Sequence, residues 1–80
     1  MKKIGILDLG TNTFNLLLAE VSEQDYTIFY RTKIVVKLGE GGITKGFIAE
    51  TPYKRGMDAL SQYKAKLEEQ NISEFYAVAT

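Results

Sequence analysis

The chain has 80 residues, which is enough for one small domain. Its ten basic and ten acidic residues cancel, so no overall positive field would recruit nucleic acid or an anionic membrane, and 45% apolar content argues against a disordered chain. Because it has no cysteine, it can form neither a disulfide framework nor a thiolate metal site, which fits a cytoplasmic location.

The amino terminus predicts neither a signal peptide nor a membrane span. Two lysines follow Met1, but the apolar run after them is interrupted by Asp8, and no small-residue cleavage site follows. We therefore expect a cytoplasmic protein with neither a membrane nor a nucleic acid as its partner.

The first predicted strand, roughly residues 3–9, runs into a turn with the chemistry of a phosphate site. Asp8 closes an apolar row with Ile4 and Ile6, at a position where a structural residue would also be apolar. The turn then offers close backbone approach, hydroxyls, an amide and main-chain N–H donors, from Gly10, Thr11, Asn12 and Thr13. Because Asp8 would repel phosphate, a hard cation such as Mg²⁺ is expected between them.

A purely structural interpretation of the same turn stays open. Aspartate and asparagine cap local backbone donors in many hairpin corners, and glycine can take positive φ there. On that interpretation, the turn connects two strands and binds nothing.

The second and third predicted strands cover roughly residues 13–21 and 25–36. The second is apolar on both faces, which predicts a central position in the sheet. The third is expected to place its apolar residues on one face, namely Tyr26, Ile28, Tyr30, Ile34 and Val36. Arg31, Lys33 and Lys37 lie on the other face, which is typical of an edge strand.

A glycine-rich loop and an amphipathic helix follow. Residues 39–47 contain four glycines and are expected to form a mobile loop. The helix is predicted over roughly residues 50–69, with Pro52 in its first turn and Asn71 as a left-handed stop. Its apolar residues recur every three or four positions and predict a core-facing stripe of Tyr53, Met57, Leu60, Tyr63 and Leu67. A helix that binds a partner through that stripe is the alternative.

A last strand, roughly residues 74–79, is expected to return parallel to the first. A right-handed crossover would place it beside the first strand, so the expected sheet order is third, second, first, fourth. One helix covers only one face of such a sheet, which leaves an apolar patch on the other. We therefore expect these 80 residues to be an amino-terminal piece of a longer enzyme, or to self-associate.

The stretch IGILDLGTNTFNLLLAEV resembles the first phosphate loop of the exopolyphosphatase / guanosine-pentaphosphate phosphatase (Ppx/GppA) family, within the actin-like, sugar-kinase-like and Hsp70-like ATPase superfamily. Lys37–Gly41 is similar to the family's Arg-Leu-Gly-Glu-Gly segment, and Ala77–Thr80 to a strand that ends in Ala-Thr. The resemblance implies an α/β fold, namely an incomplete ribonuclease-H-like (actin-like ATPase) half-domain. Its elements would follow the order β-β-β-α-β, and its mixed sheet would have the strand order 3-2-1-4. Residues 1–80 would be the amino-terminal part of the first such domain.

The resemblance also implies roles for single residues. Asp8 would organise Mg²⁺ through water, and Gly10–Thr13 would form the phosphate cradle, with threonines where the family usually has serines. Thr80 would line the same cleft, and Lys37 would contact phosphate in place of the usual arginine. Lysine keeps the charge but loses the bidentate fork, and a solvated edge-strand lysine is the alternative.

Two more positions near the turn differ from the family or stay open. Asn15 stands where many relatives carry histidine, and we interpret it as peripheral because it lies past the turn. Glu40 would order the glycine-rich loop or approach a cation, unless it is a solvated loop acid.

The implied activity belongs to a full-length parent, an acid-anhydride hydrolase. It would release the terminal phosphate of inorganic polyphosphate or guanosine pentaphosphate by Mg²⁺-assisted attack of water. The family's general-base glutamate and second phosphate loop would lie downstream, so no catalytic residue is assigned here and the 80 residues are expected to be inactive. The parent could also form a homodimer. Two alternatives stay open, the first lobe of a sugar- or acetate-kinase-like ATPase and a non-catalytic phosphate-binding or structural module.

Overall fold

The computed structural model describes residues 2–42 and 45–80. The elements follow the order β-β-β-α-β, and every boundary lies within one residue of its predicted place. They are β1 (Lys2–Leu9), β2 (Thr13–Val21), β3 (Tyr26–Val35), α1 (Glu50–Glu69) and β4 (Phe75–Ala79).

The four strands form one mixed sheet in the order β3-β2-β1-β4. β2 pairs antiparallel with both β1 and β3, while β4 lies parallel to β1. The predicted order and the central position of β2 are confirmed. The parallel pair places the ends of β1 and β4 side by side, where the site described below lies.

A bulge in β3 changes which residues share a face. Leu18 pairs with Tyr30 and the next residue, Ala19, pairs with Ile28, so Phe29 has no opposite partner. The side-chain alternation therefore shifts by one position. Tyr30, Ile34 and Val36 pack into the core against the helix, whereas Tyr26 and Ile28 line the opposite face of the sheet. The prediction that all five share one face was wrong.

The core lies between one face of the sheet and α1. Leu16 and Leu18 of the central strand and Val36 just after β3 are fully buried. The cluster consists of Leu7, Phe14, Leu16, Leu18, Val36, Ala59, Tyr63, Leu67 and Ile72. Burial of this apolar surface is the main force that holds α1 against the sheet.

The first half of α1 meets the sheet through small residues. The buried helix residues are Pro52, Gly56, Ala59, Tyr63 and Leu67. A Cβ at Gly56 would lie 3.1 Å from Leu38 Cδ2, so the helix approaches closely there. Tyr53 and Met57 point outward and are 56% and 48% exposed, so the predicted stripe was wrong in its first half. Leu60 is partly buried against the core.

The two ends of α1 agree with the prediction. Ala49 is the residue before the helix, and Pro52 lies in the first turn, where its missing N–H costs nothing. At the other end Asn71 takes a left-handed φ of 57°, and its N–H donates to the Glu68 carbonyl at 3.0 Å.

The glycine-rich segment between β3 and α1 is built from turns. Gly41 and Gly46 have φ values of 78° and 82°, which other residues rarely adopt. Ile43 and Thr44, also part of the predicted loop, lie outside the described residues. The irregular conformation of residues 39–42 and 45–47 agrees with the prediction, and the mobility of the loop stays a prediction.

The face of the sheet away from α1 carries the expected apolar patch. It is a shallow groove lined by Ile4, Ile6, Leu17, Ala19, Val21, Tyr26 and Ile28.

Within the described ranges, no helix combines the length and the apolar character that a membrane crossing requires.

Tyr63 links α1 to the beginning of β2. The side chain is 2% exposed, and its hydroxyl donates to the Phe14 carbonyl oxygen at 2.7 Å. Burial raises the pKa of the Tyr63 hydroxyl above its ordinary value, and the nearby Tyr30 hydroxyl raises it further. Tyr63→Phe is expected to lower the free energy of unfolding by about 1–2 kcal/mol, because the buried carbonyl loses its donor.

The raised pKa also predicts a pH dependence. The folded chain holds the Tyr63 proton more tightly than the unfolded chain, so this contribution is fully present below about pH 10 and is lost as the pH rises through the folded pKa. Urea denaturation at neutral and alkaline pH measures it, with Tyr53→Phe as the exposed control. If the free energy of unfolding falls equally steeply with rising pH in Tyr63→Phe and in wild type, Tyr63 is not the source of this pH dependence.

Candidate phosphate-binding site

The backbone of the turn between β1 and β2 is hydrogen-bonded to the segment that follows β3. The Leu38 N–H donates to the Thr11 carbonyl at 2.8 Å. The N–H groups of Val36 and Lys37 both donate to the Asn12 carbonyl, at 2.8 and 3.0 Å. The carbonyl oxygens of Thr11 and Asn12 are therefore occupied by backbone partners.

The donors of the same turn are left for a ligand. In the part of the chain that the structure describes, the N–H groups of Thr11 and Asn12 donate to no protein acceptor, and both residues are exposed. Free N–H groups on neighbouring turn residues form a concave site for an anion. The Asn12 amide donates to the Thr13 hydroxyl at 3.4 Å, so two polar side chains of the turn contact each other.

Gly10 serves the turn itself. Its N–H donates to the Thr13 carbonyl at 3.1 Å, and a Cβ there would lie 3.1 Å from that carbonyl oxygen and 3.4 Å from Thr80 Oγ1. A side chain at Gly10 would also fill the space between the turn and Thr80. Glycine is favoured at this position because the Thr13 carbonyl and the Thr80 hydroxyl lie close to its Cα, and not because of a positive φ.

Asp8 and Thr80 are brought together by the parallel pairing of β1 and β4. The Thr80 N–H donates to the Leu9 carbonyl at 3.1 Å, and the Thr80 hydroxyl donates to Asp8 Oδ1 at 3.3 Å. Asp8 lies on the face away from α1, beside the turn. Asp8, predicted from the turn, and Thr80, which the resemblance added, therefore meet although they lie 72 positions apart in the chain.

Asn15 lies inside the site, not at its periphery. It is directly opposite Asp8 in the β1–β2 register. Both residues line an open groove of about 460 Å³, whose other walls are Leu17, Arg31, Thr32 and Lys33. The interpretation of Asn15 as peripheral was wrong, because the hairpin folds the residue after the turn back across the strand before it.

Arg55 holds the segment that supports the turn, and the sequence pattern did not indicate it. Its Nε donates to the Val36 carbonyl at 2.8 Å and its Nη2 to the Lys37 carbonyl at 3.4 Å. Nη2 also pairs with Glu40 Oε1 at 2.9 Å. Glu40 is thus tied to α1 by one ion pair, and its role in ordering the loop stays a prediction. Lys37, with a left-handed φ of 47°, lies against the turn through its N–H.

The site offers one carboxylate to a cation. The chain has no histidine or cysteine, and the described residues contain no cluster of three acidic side chains. Mg²⁺ is commonly held by one or two carboxylates, water and substrate phosphates, so Asp8 beside a phosphate turn fits that ion better than Ca²⁺, which needs more protein oxygens. The Thr80 hydroxyl is the nearest side-chain partner of Asp8.

Known proteins are similar to this chain in sequence and in fold. No family model matches it. The bifunctional 3-dehydroquinate synthase/phosphatase of Fusobacterium nucleatum is 34% identical over 84 residues, which cover 92% of this chain and 13% of that protein. An exopolyphosphatase from Cytophaga hutchinsonii superposes with a TM-score of 0.90 at 37% identity, over 98% of this chain and 25% of that one. The resemblance to the Ppx/GppA family is confirmed.

The Ppx/GppA likeness extends to more distant sequences. The type II variant of the Aquifex aeolicus Ppx/GppA phosphatase superposes with a TM-score of 0.90 at 20% identity, over 99% of this chain and 26% of that one. At that identity the match shows the fold alone. The chain thus spans about a quarter of the Ppx/GppA structures and 13% of the Fusobacterium relative, consistent with an amino-terminal part. The functions assigned to Asp8, the turn, Lys37 and Thr80 stay predictions.

Proposed function

We propose that the chain is the phosphate-binding amino-terminal part of a phosphohydrolase that releases the terminal phosphate of inorganic polyphosphate or guanosine pentaphosphate. One observation carries this proposal. The carbonyls of Thr11 and Asn12 are bonded to the segment after β3, while their N–H groups are unpaired within residues 2–42 and 45–80. The likeness to an exopolyphosphatase at 37% identity supports the class of reaction.

The turn would bind a phosphate without rearrangement. Because Leu38, Val36 and Lys37 already fix its carbonyls, the N–H groups of Thr11 and Asn12 keep their positions before a ligand arrives. Donors fixed in advance stabilise a developing charge more effectively than donors that must reorient. The hydroxyls of Thr11 and Thr13 and the Asn12 amide add further donors.

Asp8 and Lys37 would supply the charged contacts. Asp8 would hold Mg²⁺ through water, with its carboxylate oriented by the Thr80 hydroxyl. When bound, that ion neutralises charge on the phosphates. Lys37 would act as a point charge beside the turn, without the directionality of an arginine fork.

The water-activating glutamate belongs, in this proposal, to the rest of a parent protein. Glu68 and Glu69 lie exposed in the last turn of α1, on the element that covers the other face of the sheet, and do not reach the turn. The 80 residues would therefore bind phosphate and leave it intact. A homodimeric parent and a cytoplasmic location stay predictions.

Phosphate release tests the proposal. A longer parent protein and the 80-residue chain are each incubated with polyphosphate or guanosine pentaphosphate and Mg²⁺, and free phosphate is measured. The parent is expected to release phosphate from at least one substrate, and the chain from neither. If the parent releases phosphate from neither substrate, the proposal of a phosphohydrolase is refuted. If the isolated chain releases phosphate, the proposal that the general base lies outside these 80 residues is refuted.

A further inference from the structure

The sheet face away from α1 changes character along its length. The end beside the phosphate turn is polar and charged, with Asp8, Asn15, Arg31 and Lys33. The opposite end is apolar, with Ile4, Ile6, Ala19, Val21, Tyr26 and Ile28. Asp8 and Asn15 are paired near the end of the β1–β2 hairpin, so the charged end lies beside the turn.

Strand register places two charged residues and an asparagine in a row. Asp8 is opposite Asn15, and Asn15 is opposite Lys33, so the three residues cross three neighbouring strands on one face. Arg31 lies on the same face, opposite Leu17. Because neighbouring strands are about 4.8 Å apart, the backbones at Asp8 and Lys33 are separated by about 10 Å. A chain of several phosphates matches that separation better than a single phosphate does.

The two cations on this face, Arg31 and Lys33, have no acidic partner among the described residues. Lysines on edge strands often discourage pairing with other sheets. That protection would be needed equally at the other end of β3, where Tyr26 and Ile28 occupy the same face. The concentration of both cations beside the turn therefore indicates a ligand.

We propose that Arg31 and Lys33 form a second anion subsite for a linear chain of three or more phosphates, free or attached to a nucleoside. This rests on the proposed function, because the turn must hold the terminal phosphate while Arg31 and Lys33 bind the phosphates behind it. The guanidinium fork of Arg31 can chelate two oxygens, and Lys33 adds a mobile point charge. Asn15 lies between the two subsites as a neutral donor.

Binding by chain length tests the subsite. Amide chemical shifts of the 80-residue chain are followed with Mg²⁺ during titration by pyrophosphate, tripolyphosphate or guanosine 5′-triphosphate. Lys33→Gln and Arg31→Gln are each expected to weaken tripolyphosphate binding by about threefold to tenfold and to leave pyrophosphate binding unchanged. Lys64→Gln, which removes the same charge from an exposed site on α1, is the matched control. Lys33→Arg should keep wild-type affinity.

Each outcome separates the subsite from the proposed function. Undiminished tripolyphosphate binding in both glutamine variants, or an equal loss in Lys64→Gln, overturns the subsite, while a pyrophosphate response at Thr11 keeps the proposed phosphate turn. No response of Asp8 or Thr11 to any phosphate overturns both. The subsite is supported if the glutamine variants, but not Lys64→Gln, lose affinity for tripolyphosphate. If they also lose affinity for guanosine 5′-triphosphate, the subsite accepts phosphates attached to a nucleoside; if not, it accepts the free chain alone.

Discussion

Asp8→Asn is expected to abolish the Mg²⁺-dependent part of pyrophosphate binding by the 80-residue chain. The amide has nearly the same shape and can still accept from the Thr80 hydroxyl, which lies 3.3 Å from Asp8 Oδ1. It carries no charge to attract a hard cation, so Mg²⁺ should no longer increase affinity. We expect a loss of at least about tenfold with Mg²⁺, equivalent to about 1.4 kcal/mol.

The same substitution is expected to act in the opposite direction without the metal. Removing the carboxylate removes its repulsion of phosphate, so metal-free binding should be unchanged or stronger. Titrations with and without Mg²⁺, followed at the Thr11 and Thr13 amides, measure both effects. Asp58→Asn, on the exposed side of α1, is the control for a change of net charge. If Mg²⁺ strengthens binding equally in Asp8→Asn and wild type, Asp8 has no role at the cation.

Leu16→Ala is expected to produce the largest loss of stability. Leu16 is fully buried in the central strand, between Leu7 of β1 and Thr32 of β3. Truncation of a buried leucine removes apolar burial and leaves a cavity, at a cost of about 2–5 kcal/mol. Small domains have only about 0.05–0.15 kcal/mol of stability per residue, so this loss would unfold much of the population. Urea denaturation followed by circular dichroism measures it.

Leu17→Ala is the matched control, because the same residue type on the next position of β2 faces away from α1. Leu17 is only partly buried, and its truncation is expected to cost less than about 1 kcal/mol. Equal losses for the two leucines would mean that the open face is also covered in solution. In that case the stability of the chain should depend on its concentration, as self-association requires.

Much of the fold follows from the sequence because its local signals agree with one another. Alternating apolar residues, turn residues and the stop at Asn71 each set a boundary, and the connection through α1 sets the sheet order. The bulge at Phe29 was not predictable from β3 alone, because it depends on how β2 pairs with that strand. The helix face was misjudged because large apolar residues were weighted above Gly56 and Ala59, although glycine inside a helix costs about 1 kcal/mol and usually has a packing reason.

The candidate site was predictable where it is local and less so where it depends on tertiary contacts. Asp8 and the turn were predicted from neighbouring residues, and the resemblance added Thr80. Arg55 acts through hydrogen bonds to residues 15 to 19 positions earlier, and no local pattern indicates such contacts. Asn15 was misjudged because its distance from Asp8 along the chain differs from its distance across the hairpin.

The bonds from Val36, Lys37 and Leu38 to the turn mean that its shape is not encoded in the hairpin that contains it. A peptide of β1 and β2 alone would carry every donor of the turn and lack the partners that fix its carbonyls. Since Arg55 bonds to the carbonyls of two of those partners, the proposed anion binding at the turn would be thermodynamically coupled to docking of the helix. Transplanting the motif into another protein would therefore require the segment after β3 and the helix as well as the hairpin.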